Sequence, residues 1–510
     1  MENFNSLNRF LNSKENLNSK SLSKKFLFSL AAVSVLATCA NAQISGAGCS
    51  GTCGTVSEGK TDKITVSETG NTSLTIESGG SVKPNGDNDI AIEFKPNSSI
   101  TNFKNEGTIQ GGNNSASIQI SSNNNNGATI TTFENSGIIG NGTSKFGITL
   151  WGKDGSKTTI TNFNNSGTIS AQKEAVYLSN TDIQTFTNSG TINSAGHNGL
   201  TIKSNSTITD LKNEGTIQGG SGNSSILIGE DKQGGATITT FENSGTIGNE
   251  SSKFSILVYG TESKKSTITN FNNSGIINSS TGESVFTKNT TITTFENSGT
   301  IKSNSTYGIN ISDGSTIDKF TNKGIITSYG NNEPTDNSTT YTSSGMRLQK
   351  AHIKTFENTG TILGKNGLTV TASTIDKFEN TGLIESTSEH KFGAAISVSN
   401  LDGIVSTIKN FTNSGTIKAD NASGILIEAG NKIETLNNRG TIEASLYGIS
   451  FFTVDQHGKE IELGQINLES SSIIKAGQDG IHIDGSDRGI KAKGIEVKKG
   501  AKVEGGNAGI

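Results

Sequence analysis

Ile160-Thr161-Asn162-Phe163-Asn164-Asn165-Ser166-Gly167-Thr168-Ile169 is the stretch that decides the fold, because its skeleton, Ile-x-x-Phe-x-Asn-x-Gly-x-Ile, occurs thirteen times. The aromatic position is filled by Phe103, Phe133, Phe163, Phe186, Leu211, Phe241, Phe271, Phe295, Phe320, Phe356, Phe378, Phe411 and Leu436, so eleven of the 22 Phe serve one role. In every copy Asn stands two residues later (Asn105 to Asn438), Gly four later (Gly107 to Gly440) and Ile six later (Ile109 to Ile442). Ile also stands three earlier (Ile100 to Ile433). Five fixed positions in thirteen copies define a repeat array, and this overrides the three or so domains that length alone suggests.

Successive aromatic positions lie 22 to 36 residues apart, clustering at 22–25 and at 30. Each repeat also carries a second apolar pair with period two, such as Ile118/Ile120, Ile148/Leu150, Ile226/Ile228 and Ile425/Ile427. Three short alternating runs, separated by Gly/Asn/Ser turns and lacking any 3.6-residue period, predict three strands per repeat. That is the arithmetic of one β-helix rung. A single rung cannot bury its apolar side; stacked rungs supply backbone partners and a continuous core. The predicted fold class is therefore all-β, a parallel β-helix (solenoid) with three short strands per rung. Thirteen rungs at ~4.8 Å each would span roughly 60 Å. The Phe positions would form an internal aromatic column. Stacked Asn amides would hydrogen-bond along the axis, and Asn also tolerates a left-handed turn. Gly two residues further suits either a positive φ or a close backbone approach.

Working outward, residues 98–445 hold the regular repeats. In 43–97 the pairs Ile64/Val66, Leu74/Ile76 and Ile90/Ile92 alternate without the full motif, which predicts degenerate rungs and a cap over the open edge. Residues 446–510 keep Ile481/Ile483, Ile490 and Val503, then stop at Gly506-Asn507-Ala508-Gly509-Ile510 where another Gly-Ile strand is due. They read as degenerate rungs of a truncated stack. Length variation falls in turns, the longest being Tyr329 to Ser344 with Pro334, and loops on a rigid scaffold are where binding concentrates.

Hydrophobic residues make up 30% and charged residues 17% of the 510, with 63 Gly. Such a composition fits disorder or a thin core repeated many times, and the motif selects the second. A formal charge of −4 excludes a generally basic nucleic-acid binder, because no cation excess is available to displace counterions from phosphates.

Residues 1–42 read as a secretory signal peptide with a long n-region. Lys24-Lys25 precede an apolar run from Phe26 to Ala37, and Ala40-Asn41-Ala42 sets cleavage between Ala42 and Gln43. The run is too short to span a bilayer. Leu36-Ala37-Thr38-Cys39 offers a rival lipobox reading with an atypical Thr before the Cys. Export leaves Cys49 and Cys53 as a pair in an oxidising compartment, four apart in a Gly-rich stretch, and a small disulfide loop is expected. A metal site there lacks further His or Cys.

The phrase Phe-x-Asn-Ser-Gly-Thr-Ile, as in Phe163 to Ile169 and Phe241 to Ile247, resembles the passenger repeats of vacuolating-cytotoxin-like autotransporters over roughly residues 98–445. The long signal points the same way. The resemblance implies a β-helix passenger, export from a Gram-negative cell, and residence at the cell surface and outer membrane or release as a secreted virulence factor. Related passengers include adhesins, colonisation factors and toxins. The family's C-terminal outer-membrane barrel would show as many ~10-residue alternating strands, and this chain contains none, so the resemblance implies an outer-membrane anchor only through a barrel not present here. The pore-forming toxin's N-terminal apolar region is also unmatched.

Chemistry was sought among the acidic residues, histidines and Gly-rich runs. Glu134, Glu242, Glu296 and Glu357 recur just after Phe and read as a solvated stripe. His197, His352, His390, His457 and His482 show no ligand or carboxylate partner at metal-binding spacing. No Gly-x-Ser-x-Gly elbow is present. Gly219-Gly220-Ser221-Gly222-Asn223 lacks the Asp of a calcium-binding nonapeptide and reads as a loop, and Trp151 reads as an exposed contact. No catalytic, metal or cofactor site is therefore expected. The expected function is a non-enzymatic, adhesin-like passenger binding an extracellular protein or glycan, with no nucleic-acid partner. Alternatives are a toxin or immunomodulatory passenger, a carbohydrate-active β-helix enzyme, or a decayed fragment. Several Asp, Lys or Arg side chains converging in one groove would weigh against the scaffold reading.

Overall fold

The computed structural model describes residues 43–45, 53–67, 70, 72–249, 251–333, 342–452, 460–484 and 489–510. The signal run, Cys39, Ala42, Cys49 and Pro334 lie outside them, and of Cys53 only the backbone is described. The expected disulfide and lipidation therefore fall outside the description.

The described chain is a three-sided parallel β-solenoid with 17 strands in each of its three sheets. Each strand pairs with the one three places further along the chain, so Phe163 lies between Phe133 and Phe186, and Ile169 between Ile139 and Ile192. The first sheet carries the Phe and Asn positions (for example Thr158–Asn165), the second the Gly-x-Ile strand (Thr168–Ala171), and the third the Ile-x-Ile strand (Val176–Ser179). One ladder differs. Gln43–Ser45 runs antiparallel to Ile64–Ser67 at the start of the third sheet, where it covers an otherwise open parallel edge.

Period two is broken once per rung. In Ser99–Asn105 both Ile100 and Phe103 face the core although three residues apart, because Thr101 and Asn102 both face outward. The N–H groups of Thr101 and Asn102 donate to the same carbonyl, that of Thr72, at 3.0 and 3.2 Å. The bend aims one long strand at two parts of the core.

Pairing in register forces like upon like. Phe103, Phe133, Phe163 and Phe186 form one stack, and Phe241, Phe271, Phe295, Phe320, Phe356 and Phe378 form another, all fully buried. Adjacent rings sit 4.4–5.1 Å apart between centroids and within 25° of parallel. Carbon contact is ~3.5–4.0 Å, so rings 4.7 Å apart are slid, the offset geometry that the ring quadrupole favours. Leu211 separates the stacks, and Phe411 turns edge-on to Phe378 at 79° below Leu436.

Beside the rings runs an amide ladder. Asn135 Nδ2 donates to Asn165 Oδ1 at 2.7 Å, and the same bond, at 2.7–2.8 Å, links every consecutive pair from Asn105 to Asn438. Each amide also points Nδ2 at the carbonyl of the Gly two residues on, which fixes which end of the amide is the donor. At the N-terminal end Ile76 occupies the ladder position, leaving Asn105 Oδ1 without a donor; at the other end Asn438 donates to Ser472 Oγ at 2.6 Å. The ladder Asn residues have ordinary strand backbone, so tolerance of a left-handed turn is not why they are there. Left-handed residues sit instead at other turns, such as Asn180, Asn205 and Asn289. The Gly column likewise answers to close approach and not to φ: a Cβ on Gly245 would lie 2.1 Å from the carbonyl oxygen of Gly215.

Two stability outcomes follow. Phe241→Ala, deep in a ring stack, is expected to cost ~3–5 kcal/mol, read by denaturant unfolding together with hydrogen exchange of the flanking rungs. An unchanged midpoint would refute tight packing of the column. Gly245→Ala is expected to destabilise clearly whereas Ser244→Ala beside it stays within about 0.5 kcal/mol, because only the first must move backbone.

Candidate functional site

The three outer faces are not alike. On the first sheet the outward positions repeat Thr, Asn, Lys and Glu, and its charges are joined as surface pairs such as Lys212–Glu214 at 2.6 Å and Lys319–Glu357 at 3.0 Å. Glu296, in the same stripe, meets Lys323 at 2.6 Å, and with Glu242 it lines a shallow hollow of about 440 Å³. The stripe is a solvated one.

The third sheet differs. Its inward pairs repeat, yet its outward residues change from rung to rung and include most of the aromatic residues left over from the ring stacks. Phe254, Leu257 and Tyr259 face away from core residues Ile256 and Val258. They floor a trough of about 490 Å³, walled on one side by Gly222, Asn223 and Lys253 and on the other by Glu230, Asp231 and Lys232. Insertions before and after the third strand supply those walls, so long rungs build what short rungs leave open. The run Gly219–Asn223, read as a loop, is one of the walls.

Aromatic contacts continue along the same face beyond the trough. Trp151 meets Tyr177 at 4.8 Å, and Phe286 lies 5.8 Å from Tyr259 and 5.9 Å from Phe254. Lys145 and Lys253 sit beside the Phe that follows each, 5.5 and 5.2 Å from the ring centres, which is cation–π range. The carboxylates of the opposite wall are held: Lys203 bonds Glu230 at 2.6 Å and Lys288 bonds Asp231 at 2.9 Å. Burial, with Glu230 and Glu174 nearby, pushes the Tyr177 hydroxyl up to about 12, and burial with Asp231 raises that of Tyr259. Both remain donors at physiological pH.

Further along the same face, Arg347 is buried with its guanidinium 5.0 Å from the Tyr307 ring centre and Nη1 donating to Tyr307 Oη at 3.1 Å. Asn310 Nδ2 reaches Glu283 at 3.5 Å, and burial raises the Glu283 carboxyl.

The Phe set is buried in the core throughout, and of the other residues singled out in the sequence Ala42, Cys49 and His457 lie outside the described residues. Three histidines read as partnerless do meet carboxylates: His352–Asp376 at 2.9 Å, His482–Asp479 at 2.8 Å and His197–Glu174 at 3.6 Å. The first pair joins adjacent rungs, a distance that sequence spacing hides. Among the described residues no group of three or more His, Cys, Asp or Glu is placed to hold a metal ion. The trough does gather Lys203, Asp231, Lys232 and Lys253, the convergence of charges named above as weighing against a plain scaffold.

The trough has no single motif in the sequence, and its trace is a repeat longer than one rung. Thr129-Ile130-Thr131-Thr132-Phe133-Glu134-Asn135-Ser136-Gly137 recurs letter for letter as Thr237 to Gly245, which is 237 − 129 = 108 residues on. The repeat carries Lys145-Phe146 onto Lys253-Phe254 and Trp151 onto Tyr259. After one inserted residue it carries Tyr177 onto Phe286.

Comparison with protein-family models, curated proteins and solved structures gave no match to any of them.

The raised tyrosine gives a pH test. A hydroxyl whose pKa is higher folded than unfolded adds stability that is complete below pH 10 and lost as pH rises from 10 to about 12. An absorbance titration is expected to show a tyrosinate phase near pH 12 that Tyr177→Phe removes; its persistence would place the buried hydroxyl elsewhere.

Proposed function

We propose that this chain is an exported, non-enzymatic scaffold of the autotransporter-passenger type, which binds extracellular protein or glycan through the trough on its third sheet. The observation that carries this reading is the asymmetry of the solenoid: one of three faces collects the surface aromatic residues and is walled by the insertions. Aromatic side chains presented on rigid strands offer large contact area at small entropic cost, as binding surfaces require. The export signal and the resemblance of Phe163–Ile169 and its copies to vacuolating-cytotoxin-like passengers supply the surface context.

The charges in the trough favour a second reading, a carbohydrate-active β-helix enzyme, since Asp and Lys converge on one groove. Against it stands the pairing of both wall carboxylates with lysines, Glu230 also accepting from Ser204 Oγ at 3.0 Å. A carboxylate so engaged is poorly placed to take a proton from substrate.

The test is binding of the full chain to cells and to immobilised glycans and matrix proteins. Phe254→Ala with Tyr259→Ala is expected to weaken binding at least about tenfold, as truncating two anchor aromatics does. Glu134→Gln with Glu296→Gln on the first sheet is expected to leave binding unchanged. Equal affinity in all three proteins would remove the trough from the function, and new reducing ends or unsaturated sugars on incubation with polysaccharide would replace binding by catalysis.

A further inference from the structure

The 108-residue duplication has a geometric consequence on the outer face of the third sheet. The strands Phe146–Trp151 and Phe254–Tyr259 are separated by three intervening strands of the third sheet, so they lie four rungs apart. At ~4.8 Å per rung that is about 19 Å along a straight axis. Each strand begins with Phe beside a lysine and ends in a large aromatic, and each is followed one rung later by a further ring. Station one is Lys145, Phe146, Trp151 and Tyr177; station two is Lys253, Phe254, Tyr259 and Phe286.

The supporting structure is duplicated as well. Thr158 Oγ1 donates to the Trp151 carbonyl, and Ser266 Oγ to that of Tyr259. Behind the floor, Ser117 Oγ bonds Ser144 Oγ at 3.1 Å, and Ser225 Oγ bonds Ser252 Oγ at 3.1 Å. The strands of the two stations are thus held alike, while the turns beside them differ, Glu230-Asp231-Lys232 standing where the first station has Ser122-Asn123-Asn124.

From this we infer that the outer face of the third sheet carries two similar subsites, one of them in the trough, for one linear acidic polysaccharide, which lies along the solenoid axis and engages both. The inference rests on the binding reading above and deepens it by naming the ligand class. Two copies of one recognition chemistry on a rigid face suit a ligand that presents its own chemistry twice at fixed spacing. A polymer does so, whereas a folded protein epitope does not. Flat rings beside polar loops suit sugar faces, apolar on one side and hydroxylated at the rim. The acidic character follows from the charges: among the described residues Lys145 and Lys253 form no salt bridge within 4.0 Å, although Glu283 acts on Lys253 through space and Glu174 lies near Tyr177, and at the second station the wall carboxylates Glu230 and Asp231 are already paired with Lys203 and Lys288. Single-stranded nucleic acid also stacks on rings beside cations. An oligonucleotide is therefore one arm of the test.

The experiment uses the full chain and calorimetry with polygalacturonate and heparin fragments of graded length, neutral dextran, and an oligodeoxythymidine. Short acidic fragments are expected to bind weakly at two per chain. Fragments long enough to bridge about 19 Å are expected to bind at one per chain and about 10²-fold more tightly, through effective concentration alone. Trp151→Ala/Tyr177→Ala and Tyr259→Ala/Phe286→Ala are each expected to remove the length step and leave one short-fragment site. Because these side chains lie outside the core, circular dichroism melts are expected to match the parent, and a variant that melts early is replaced by its Trp151→Phe or Tyr259→Phe counterpart with lysine changed instead (Lys145→Gln or Lys253→Gln). A parent without a length step, a step that survives either variant, or preference for dextran or the oligonucleotide would overturn the inference. Loss of cell binding in the double-station variants despite such a result would leave the binding trough standing and reject only the acidic polymer; retained cell binding would reject the trough.

Discussion

Everything in this solenoid depends on the pitch of parallel strand pairing. When every strand hydrogen-bonds to its counterpart in the next rung, each inward side chain has the same position above and below it, less than 5 Å away. A side chain is then selected for how well it stacks on a copy of itself. Phe satisfies the condition by sliding its ring, Ile by packing branched aliphatic surfaces, and Asn by offering a donor on one side and an acceptor on the other. A buried Ser or Gln column would be less self-complementary, and a charged one would repel. The five fixed positions are this constraint written into sequence.

The Asn ladder shows how polarity enters such a core without penalty. A lone buried amide would leave donors and acceptors unmatched at a cost of roughly 1–3 kcal/mol for each. In the column every amide satisfies its neighbour, and the unmatched group is displaced to the end, where Asn105 Oδ1 rests above Ile76. The C-terminal end is closed by the Ser472 hydroxyl. Aligned amides also polarise one another, so the ladder gains from length. Its direction is set by the backbone carbonyl of the adjacent Gly, which links the amide column to the glycine corner. Neither column is independent of the other: the glycine lets the backbones approach, and the approach puts the carbonyl where the amide needs it.

This explains what could be read from the chain and what could not. Columns that face inward obey the stacking rule and are legible as periodic sequence; fold class, strand number and the aromatic ladder all come from there. The amide stacking expected of Asn is what the structure shows, but the second reason given for Asn, a left-handed turn, and the positive-φ reason given for Gly were wrong, because turn preferences are local whereas the operative contacts, Asn135 to Asn165 or Gly245 to Gly215, join residues 30 apart. His352 and Asp376 escaped notice for the same cause: 24 residues apart in the chain, they are neighbours across one rung. Outward positions obey no stacking rule, so the trough left no single motif. Its trace was statistical. Most aromatic residues of the repeat region that are not on the ladder, among them Phe146, Trp151, Tyr177, Phe254, Tyr259 and Tyr307, fall beside an alternating aliphatic pair, and a search for longer periods would have caught the recurrence of Lys145-Phe146 and Trp151 as Lys253-Phe254 and Tyr259.

The same rule bears on why sequence variation gathers on one face. The first sheet must turn a sharp glycine corner and carry both ladders, and its outward positions alternate with residues whose spacing admits little change. The third sheet asks only that two inward aliphatics alternate, as Ile148/Leu150 and Ile256/Val258 do, and it tolerates long insertions on both flanks. Freedom of sequence is therefore greatest where the core demands least. Repeating four rungs, as the segments beginning at Lys104 and Lys212 do, copies the strands of such a face and preserves the register automatically, because the pitch fixes where the second copy must lie, while the turns beside the strands are free to diverge. In a globular domain a duplicated surface loop lands at an arbitrary distance and angle. In a solenoid it lands a whole number of rungs away, facing the same side, and a recognition surface becomes a ruler whose divisions are set by the hydrogen bonds of the core.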